Sequence, residues 1–121
     1  MEILLKRAYE EPSNADGFRV LVDRLWPRGT KKADLRLNAW VKEIAPSTEL
    51  RKWFDHDPKR WLEFSKRYKE ELKTPMLKKA IADTVHAAQK YSAITLIYAA
   101  KDTEHNEAVV LRTLFKRKAG A

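Results

Sequence analysis

Two short stretches of the chain gather side chains suited to binding an anion or moving a proton. Asp23-Arg24-Leu25-Trp26-Pro27-Arg28-Gly29 puts two guanidinium groups, a carboxylate and an indole into one rigid loop. An Arg fork fits a phosphate or carboxylate in a plane, and a neighbouring Asp can hold that fork in place or take a proton. Trp26 could stack on a ligand ring. The plainer alternative pairs Asp23 with Arg24, buries Trp26 in the core and leaves Arg28 in solvent. Pro27 and Gly29 frame the charges at a turn, which tips this stretch towards binding. Lys101-Asp102-Thr103-Glu104-His105-Asn106 is the second candidate. There Lys101 could neutralise an anion, His105 could transfer a proton near neutral pH, and Asn106 could donate to an oxyanion. Its plainer alternative is helix capping by Asp102 or Thr103, with Glu104 placed in a first turn where acids are favoured.

Both stretches acquire meaning from the elements around them. Ile3-Leu4-Leu5 reads as a first strand, and Glu10 to Gly17 as a loop whose strongest turn signal is Asp16-Gly17. Phe18 to Asp23 alternates with β-branched residues and reads as a second strand. Lys31 to Leu37 suits a short helix or a loop, and Trp40 to Ile44 a third strand or a helical turn. Pro46-Ser47 announces a short helix through Leu50, Trp53 and Phe54. Asp57-Pro58 pairs an N-cap with a proline at the first helical position, ahead of Trp61, Phe64, Tyr68 and Leu72 on one face. Thr74-Pro75 repeats that pattern before Leu77, Ile81, Val85 and Ala88. Ala93 to Ala99 is nearly continuous in apolarity, as a strand buried on both faces should be. A last helix turns Ala108, Leu111, Leu114 and Phe115 inward.

The expected fold is therefore α/β: one domain over residues 1–121, with a small sheet of about four strands, at least partly parallel, and about four packed helices. A helical crossover between the third strand and the last suits a parallel pair. In such sheets ligands bind beyond the carboxyl ends of the strands. That rule selects residues 23–29 and 100–106, the same two stretches.

Composition narrows the chemistry further. Of the 121 residues, 44% are hydrophobic and 35% charged, enough for a core beneath a charged surface. The net charge of +8 makes anions, nucleotides and nucleic acids natural partners. The absence of cysteine excludes disulfides, thiolate nucleophiles and cysteine-ligated metals, and suits the cytoplasm. No apolar run reaches the ~20 residues of a membrane span, so no membrane partner is expected. Three glycines cannot build a dinucleotide fingerprint, so no cofactor is expected. No metal is expected either. His56 sits between two aspartates, but Asp57 is already committed as a cap, and His86 stands alone in mid-helix.

The runs Asp16 to Gly29, Trp40 to Ser47, Leu50 to Phe54 and Ala99 to Asn106 together resemble the domain-of-unknown-function family 488, in its YeaO-like branch. The resemblance covers nearly the whole chain. It implies a compact bacterial or archaeal α/β domain. A second branch of the family carries a cysteine at the end of the last strand, where Tyr98 stands nearby here, so no thiol mechanism carries over. What the resemblance implies is a geometry, with Asp23, Arg24 and Arg28 on one loop facing Lys101, Asp102, His105 and Asn106 on another. The expected function is binding of a small phosphorylated or carboxylated ligand, such as a nucleotide, at these loops. Arg24, Trp26, Arg28, Lys101, Asp102 and Asn106 would hold it, and His105 and Asp23 would be the acid/base groups of any reaction. The alternative is a non-catalytic nucleic-acid-binding or regulatory module that uses the dispersed positive charge.

Overall fold

The computed structural model describes residues 1–120. Four strands, β1 (Glu2–Arg7), β2 (Phe18–Leu21), β3 (Ala39–Trp40) and β4 (Ala93–Tyr98), form one sheet in the order β1-β4-β2-β3. Every pairing is parallel. The helices are α1 (Lys32–Leu35), α2 (Thr48–Phe54), α3 (Trp61–Glu71), α4 (Pro75–Ala87) and α5 (Glu107–Gly120). The expected small α/β fold is the fold observed. Among the described residues no helix is long and apolar enough to cross a membrane.

All six residues of β4 are buried, as the apolar run requires. Alternation along the strands divides them between two cores. Ile94, Leu96 and Tyr98 join Phe18, Val20 and Val22 in the larger core, which α2 to α5 cover with Leu50, Phe54, Phe64, Tyr68, Ile81, Leu111 and Phe115. Leu21 and Ile97 point the other way and meet Leu35 of α1 and Ala8, with Trp26 and Trp40 packed against them. The rest of that second face is closed by charge. Asp16 and Arg19 are both buried, the Arg19 guanidinium donates to Asp16 at 2.5 Å and to the Leu35 carbonyl at 2.8 Å, and Lys6 reaches Asp16 at 2.8 Å.

Several sequence expectations need correcting. The second strand stops at Leu21, although the Val22 N–H still donates to the Ile97 carbonyl. The third strand shrinks to Ala39–Trp40, and the helical alternative takes over as a 3-10 turn at Lys42–Ile44. That strand does not pair with β4, because β2 lies between them. The strand most apolar on both faces takes the interior of the sheet, and the two-residue β3 is left at the edge. Asp57 does act as a cap, accepting from the Lys59 N–H at 3.0 Å, but it caps a 3-10 turn at Pro58–Arg60 that precedes α3.

Gly17 carries the entry into β2. Its φ of +65° lies where side-chain-bearing residues are strained, and a Cβ there would stand 2.3 Å from the Ala93 carbonyl oxygen. The expected cost of Gly17→Ala is more than about 2 kcal/mol, since backbone strain adds to a clash with the central strand. Urea unfolding measures it, and a loss below about 0.5 kcal/mol would show that β2 and β4 do not need this approach.

Candidate functional site

β2 and β4 are neighbours, yet the chain leaves them towards opposite faces of the sheet. After β2 it runs to α1 on the smaller core, and after β4 to α5 on the larger one. Strands whose connections part in this way leave a crevice at their carboxyl ends. A cleft of about 690 Å³ opens there. Asp23, Arg24, Trp26, Arg28, Lys101, Asp102, His105 and Asn106 all line it. The structure thus brings every residue singled out from the two loops to one place.

These residues divide by what already occupies their polar atoms. Asp23 does not pair with Arg24. Its Oδ2 accepts from the Ala99 N–H at 2.9 Å, so it bridges β2 and β4 where their ladder ends. Arg7 of β1 holds the same turn from the other side, donating to the Ala99 and Ala100 carbonyls at 3.0 and 2.8 Å. Arg24 spends one nitrogen on the Pro46 carbonyl at 3.1 Å, tying the loop to the segment before α2. Trp26 donates to the Thr30 carbonyl at 2.9 Å and meets Trp40 edge-on, so it packs against the smaller core while one part lines the cleft. Asn106 is buried and caps α5: its Oδ1 accepts from the Val109 N–H at 3.2 Å, and its amide donates to the Asp102 carbonyl at 2.9 Å. The expected cap by Asp102 or Thr103 is corrected accordingly, because α5 begins at Glu107 and those residues lie too far upstream to reach its first turn.

Asp102 closes a turn instead. Its Oδ1 accepts from the Glu104 and His105 N–H groups at 2.9 and 3.0 Å, while Oδ2 meets His105 Nδ1 at 2.9 Å. The Glu104 N–H, followed by the His105 imidazole, holds the Asp102 carboxyl below the usual carboxylate range. His105 is half-buried and meets Trp61 edge-on at 5.3 Å. With Nδ1–H donated to Asp102, its Nε2 is the free acceptor.

Three cations of the cleft are left over. Arg28, Lys101 and Arg51, the last reaching the cleft from α2, are exposed, and among the described residues none of their side chains joins an ion pair. Arg28 offers only its carbonyl to the protein, where Tyr9 Oη donates at 3.1 Å.

Sequence reasoning missed several contributors. Arg51 and Phe54 of α2, His56 just after it, Phe64 of α3, Tyr9 and Glu107 at the start of α5 also line the cleft. Neither Arg51 nor Glu107 differs in local sequence context from the other charged residues of the helices. Only His56 had a local signal, its place between two aspartates. Its left-handed backbone, φ +54°, comes from the turn that ends α2. Among the described residues no three acidic or histidine side chains gather as a metal site.

Comparison with known proteins agrees with the resemblance. A family model described as the inactive DUF488-N3 subclade, DUF488-N3i, matches residues 2–120. The chain is 46% identical over 112 residues to the uncharacterized protein YeaO of Escherichia coli K12, covering 92% of this chain and 94% of YeaO. It is 40% identical over 112 residues to the uncharacterized proteins Mb3100c of Mycobacterium bovis and Rv3073c of Mycobacterium tuberculosis, covering 93% of this chain and 92% of each. No solved structure matches. The chain belongs to the DUF488 family.

Asn106 supplies the test of how the second loop is held. Asn106→Ala removes the α5 cap and the bond to the Asp102 carbonyl, and is expected to cost about 1–2 kcal/mol in urea unfolding. Asn106→Asp keeps the acceptor for Val109 and should recover part of that loss. Equal stability of all three proteins would contradict the capping role.

Proposed function

We propose that this DUF488 member binds a small anionic ligand, a phosphorylated or carboxylated compound with a flat or apolar body, in the cleft between residues 23–29 and 100–107. The observation that carries this reading is the convergence of three free cations, Arg28, Arg51 and Lys101, on a crevice between β2 and β4. All three are exposed, and none is neutralised by an ion pair among the described residues, in contrast to Arg67, Lys73 and Lys79, which pair with acids three or four residues away. Phe54, Phe64 and Pro27 add apolar wall, and Trp26 offers part of an indole. A ligand can gain both charge-assisted bonds and apolar contact there.

The matched subclade is described as inactive, which favours binding without turnover. One observation keeps a second reading in play: the Asp102–His105 pair has the arrangement of a general base, with a carboxylate fixing an imidazole beside the cleft. Turnover of 4-nitrophenyl phosphate that disappears in His105→Ala would establish that second reading. The nucleic-acid alternative has less support. Arg67, Lys73 and Lys79 are paired with nearby acids, and the unpaired basic residues are dispersed over several elements rather than gathered in one run.

A thermal-shift panel of sulfate, phosphate and AMP tests the binding reading. Ligand at 100 times its dissociation constant should add about 2.7 kcal/mol of stability. Arg28→Ala should leave the stability of the free protein within about 0.5 kcal/mol, because the side chain is exposed. It should weaken binding about tenfold or more, through a lost charge-assisted contact. No shift with any of the three anions would remove the support for an anion site. A collapse of the free protein in Arg28→Ala would make that arginine a structural strut.

A further inference from the structure

We infer that Asp23 and Glu107 share a single proton in the wall of the cleft, and that this proton couples the charge of the pair to the binding of an anion. The second half rests on the anion-binding reading above; the first does not.

Two buried polar side-chain atoms at the cleft lack a hydrogen-bond partner among the described residues, Asp23 Oδ1 and Arg24 Nε. Asp23 Oδ2 accepts from the Ala99 N–H, but Oδ1 is enclosed and has no protein donor. A carboxylate oxygen left so costs free energy that a hydrogen bond would recover. Solvent-sized groups do not reach Oδ1, so a ligand in the cleft cannot supply the donor. The Glu107 carboxyl lines the same cleft as Asp23 and interacts with the Asp23 carboxyl. Ionised, it offers only acceptors; protonated, it offers the O–H that Oδ1 lacks.

The surroundings favour the protonated form. Burial, then the Asp23 carboxylate, push the Glu107 carboxyl well above its usual range, against the opposing pull of its own backbone N–H and of Arg51 from α2. Arg24 donates one nitrogen to the Pro46 carbonyl and leaves its buried Nε without a partner, but it makes no ion pair with Asp23 among the described residues. From α3, Tyr68 faces the pair with Glu71 near it, but the Tyr68 hydroxyl donates to the Ile44 carbonyl and Glu71 accepts from Ser47. Lys101, Asp102 and His105 line the same cleft from the loop before α5. The pair therefore carries one negative charge while the proton is held, and two when it is lost. A second charge beside Arg28 and Lys101 opposes an incoming anion, so binding and proton retention must favour each other by the same factor.

The sign of the stability effect follows from the raised Glu107. Between its unfolded value and its higher folded value, the native state holds a proton that the unfolded chain has released. Stability from this source is full at low pH, falls as pH rises through that window, and is flat above it. Glu107→Gln keeps a donor for Oδ1 and cannot titrate. Asp23→Asn offers an amide donor to an ionised Glu107 and keeps an acceptor for Ala99.

The test measures unfolding of the ligand-free chain from about pH 5 to about pH 9 for the natural protein, Glu107→Gln and Asp23→Asn. The remaining charged groups are shared by all three proteins, so their contribution cancels in the differences. The expected result is that the unfolding constant of the natural protein rises about tenfold or more relative to Glu107→Gln over this range. Asp23→Asn should reduce that slope, since the Asp23 carboxylate is gone and an amide donor favours ionised Glu107 while burial still acts on it, and it serves alone if Glu107→Gln does not fold. Parallel pH profiles overturn the shared proton. Binding is then followed with 4-nitrophenyl sulfate, whose single charge is constant over this range. Its dissociation constant should weaken about fivefold more in the natural protein than in Glu107→Gln. Equal weakening overturns the coupling while leaving the pair intact. Absence of binding to either protein at every pH overturns both the coupling and the anion-site reading, and the ligand-free profiles still decide the pair.

Discussion

A strand buried on both faces and along its whole length must have both of its edges hydrogen-bonded, since water cannot reach its peptide groups. β4 is in that position, and β1 and β2 satisfy it in parallel from either side. Parallel neighbours cannot be joined by tight turns, so the chain must cross over the sheet between strands. All four strands then end at the same rim. The chain leaves β2 and β4 towards opposite faces, and the gap at that rim is the consequence. The cleft is thus a product of how the central strand is paired, before any ligand chemistry is considered. The same requirement sets the tolerance at Gly17, whose backbone lies against Ala93 where β2 begins.

At the rim the ladder ends, and its unpaired peptide groups need other partners. Side chains supply them: Asp23 for the Ala99 N–H, Arg7 for the carbonyls of Ala99 and Ala100, Arg24 for Pro46, and Asn106 for the first turn of α5. Polar residues around the cleft are therefore first of all structural, and their ligand-binding capacity is what remains after the backbone has been satisfied. Arg28, Arg51 and Lys101 keep all of theirs. Asp23 keeps one oxygen, but that oxygen faces the protein. This division explains why a cleft lined by many charged groups offers a ligand only a few free ones.

The second face of the sheet uses charge differently. Burial alone would raise the Asp16 carboxyl, but Lys6, the Ser13 N–H and Arg19 outweigh it and hold the carboxyl below its usual range. Part of the stability of this network is therefore present above the unfolded value of an aspartate and is lost as pH falls through the lower folded one. A buried pair of this kind adds little net stability over apolar packing, but removing one partner would strand the other. It closes a face that has one four-residue helix, α1, to cover it.

Much of this architecture is legible in the amino-acid order because its signals are local. The apolar run Ala93–Ala99, the cap-and-proline pairs at Asp57-Pro58 and Thr74-Pro75, and the helix stripes report on neighbours within one turn or one pleat, so each element could be read where it stands. The two loops could be proposed together because each carries a charged cluster directly after an apolar strand run, where ligands of parallel sheets bind. The strand order and the positions of Arg51 and Glu107 could not be read in this way. They depend on contacts between segments far apart in the chain, as when the Ala99 N–H finds Asp23 across 76 positions. An acid in a first turn looks the same in sequence whether it faces water or a second carboxylate. Amino-acid order specifies the elements and the residue types at their ends, because backbone propensity and hydrophobic periodicity act over a few residues. Packing settles which of those ends meet and which polar atoms stay free, because burial and hydrogen-bond satisfaction are properties of the folded chain.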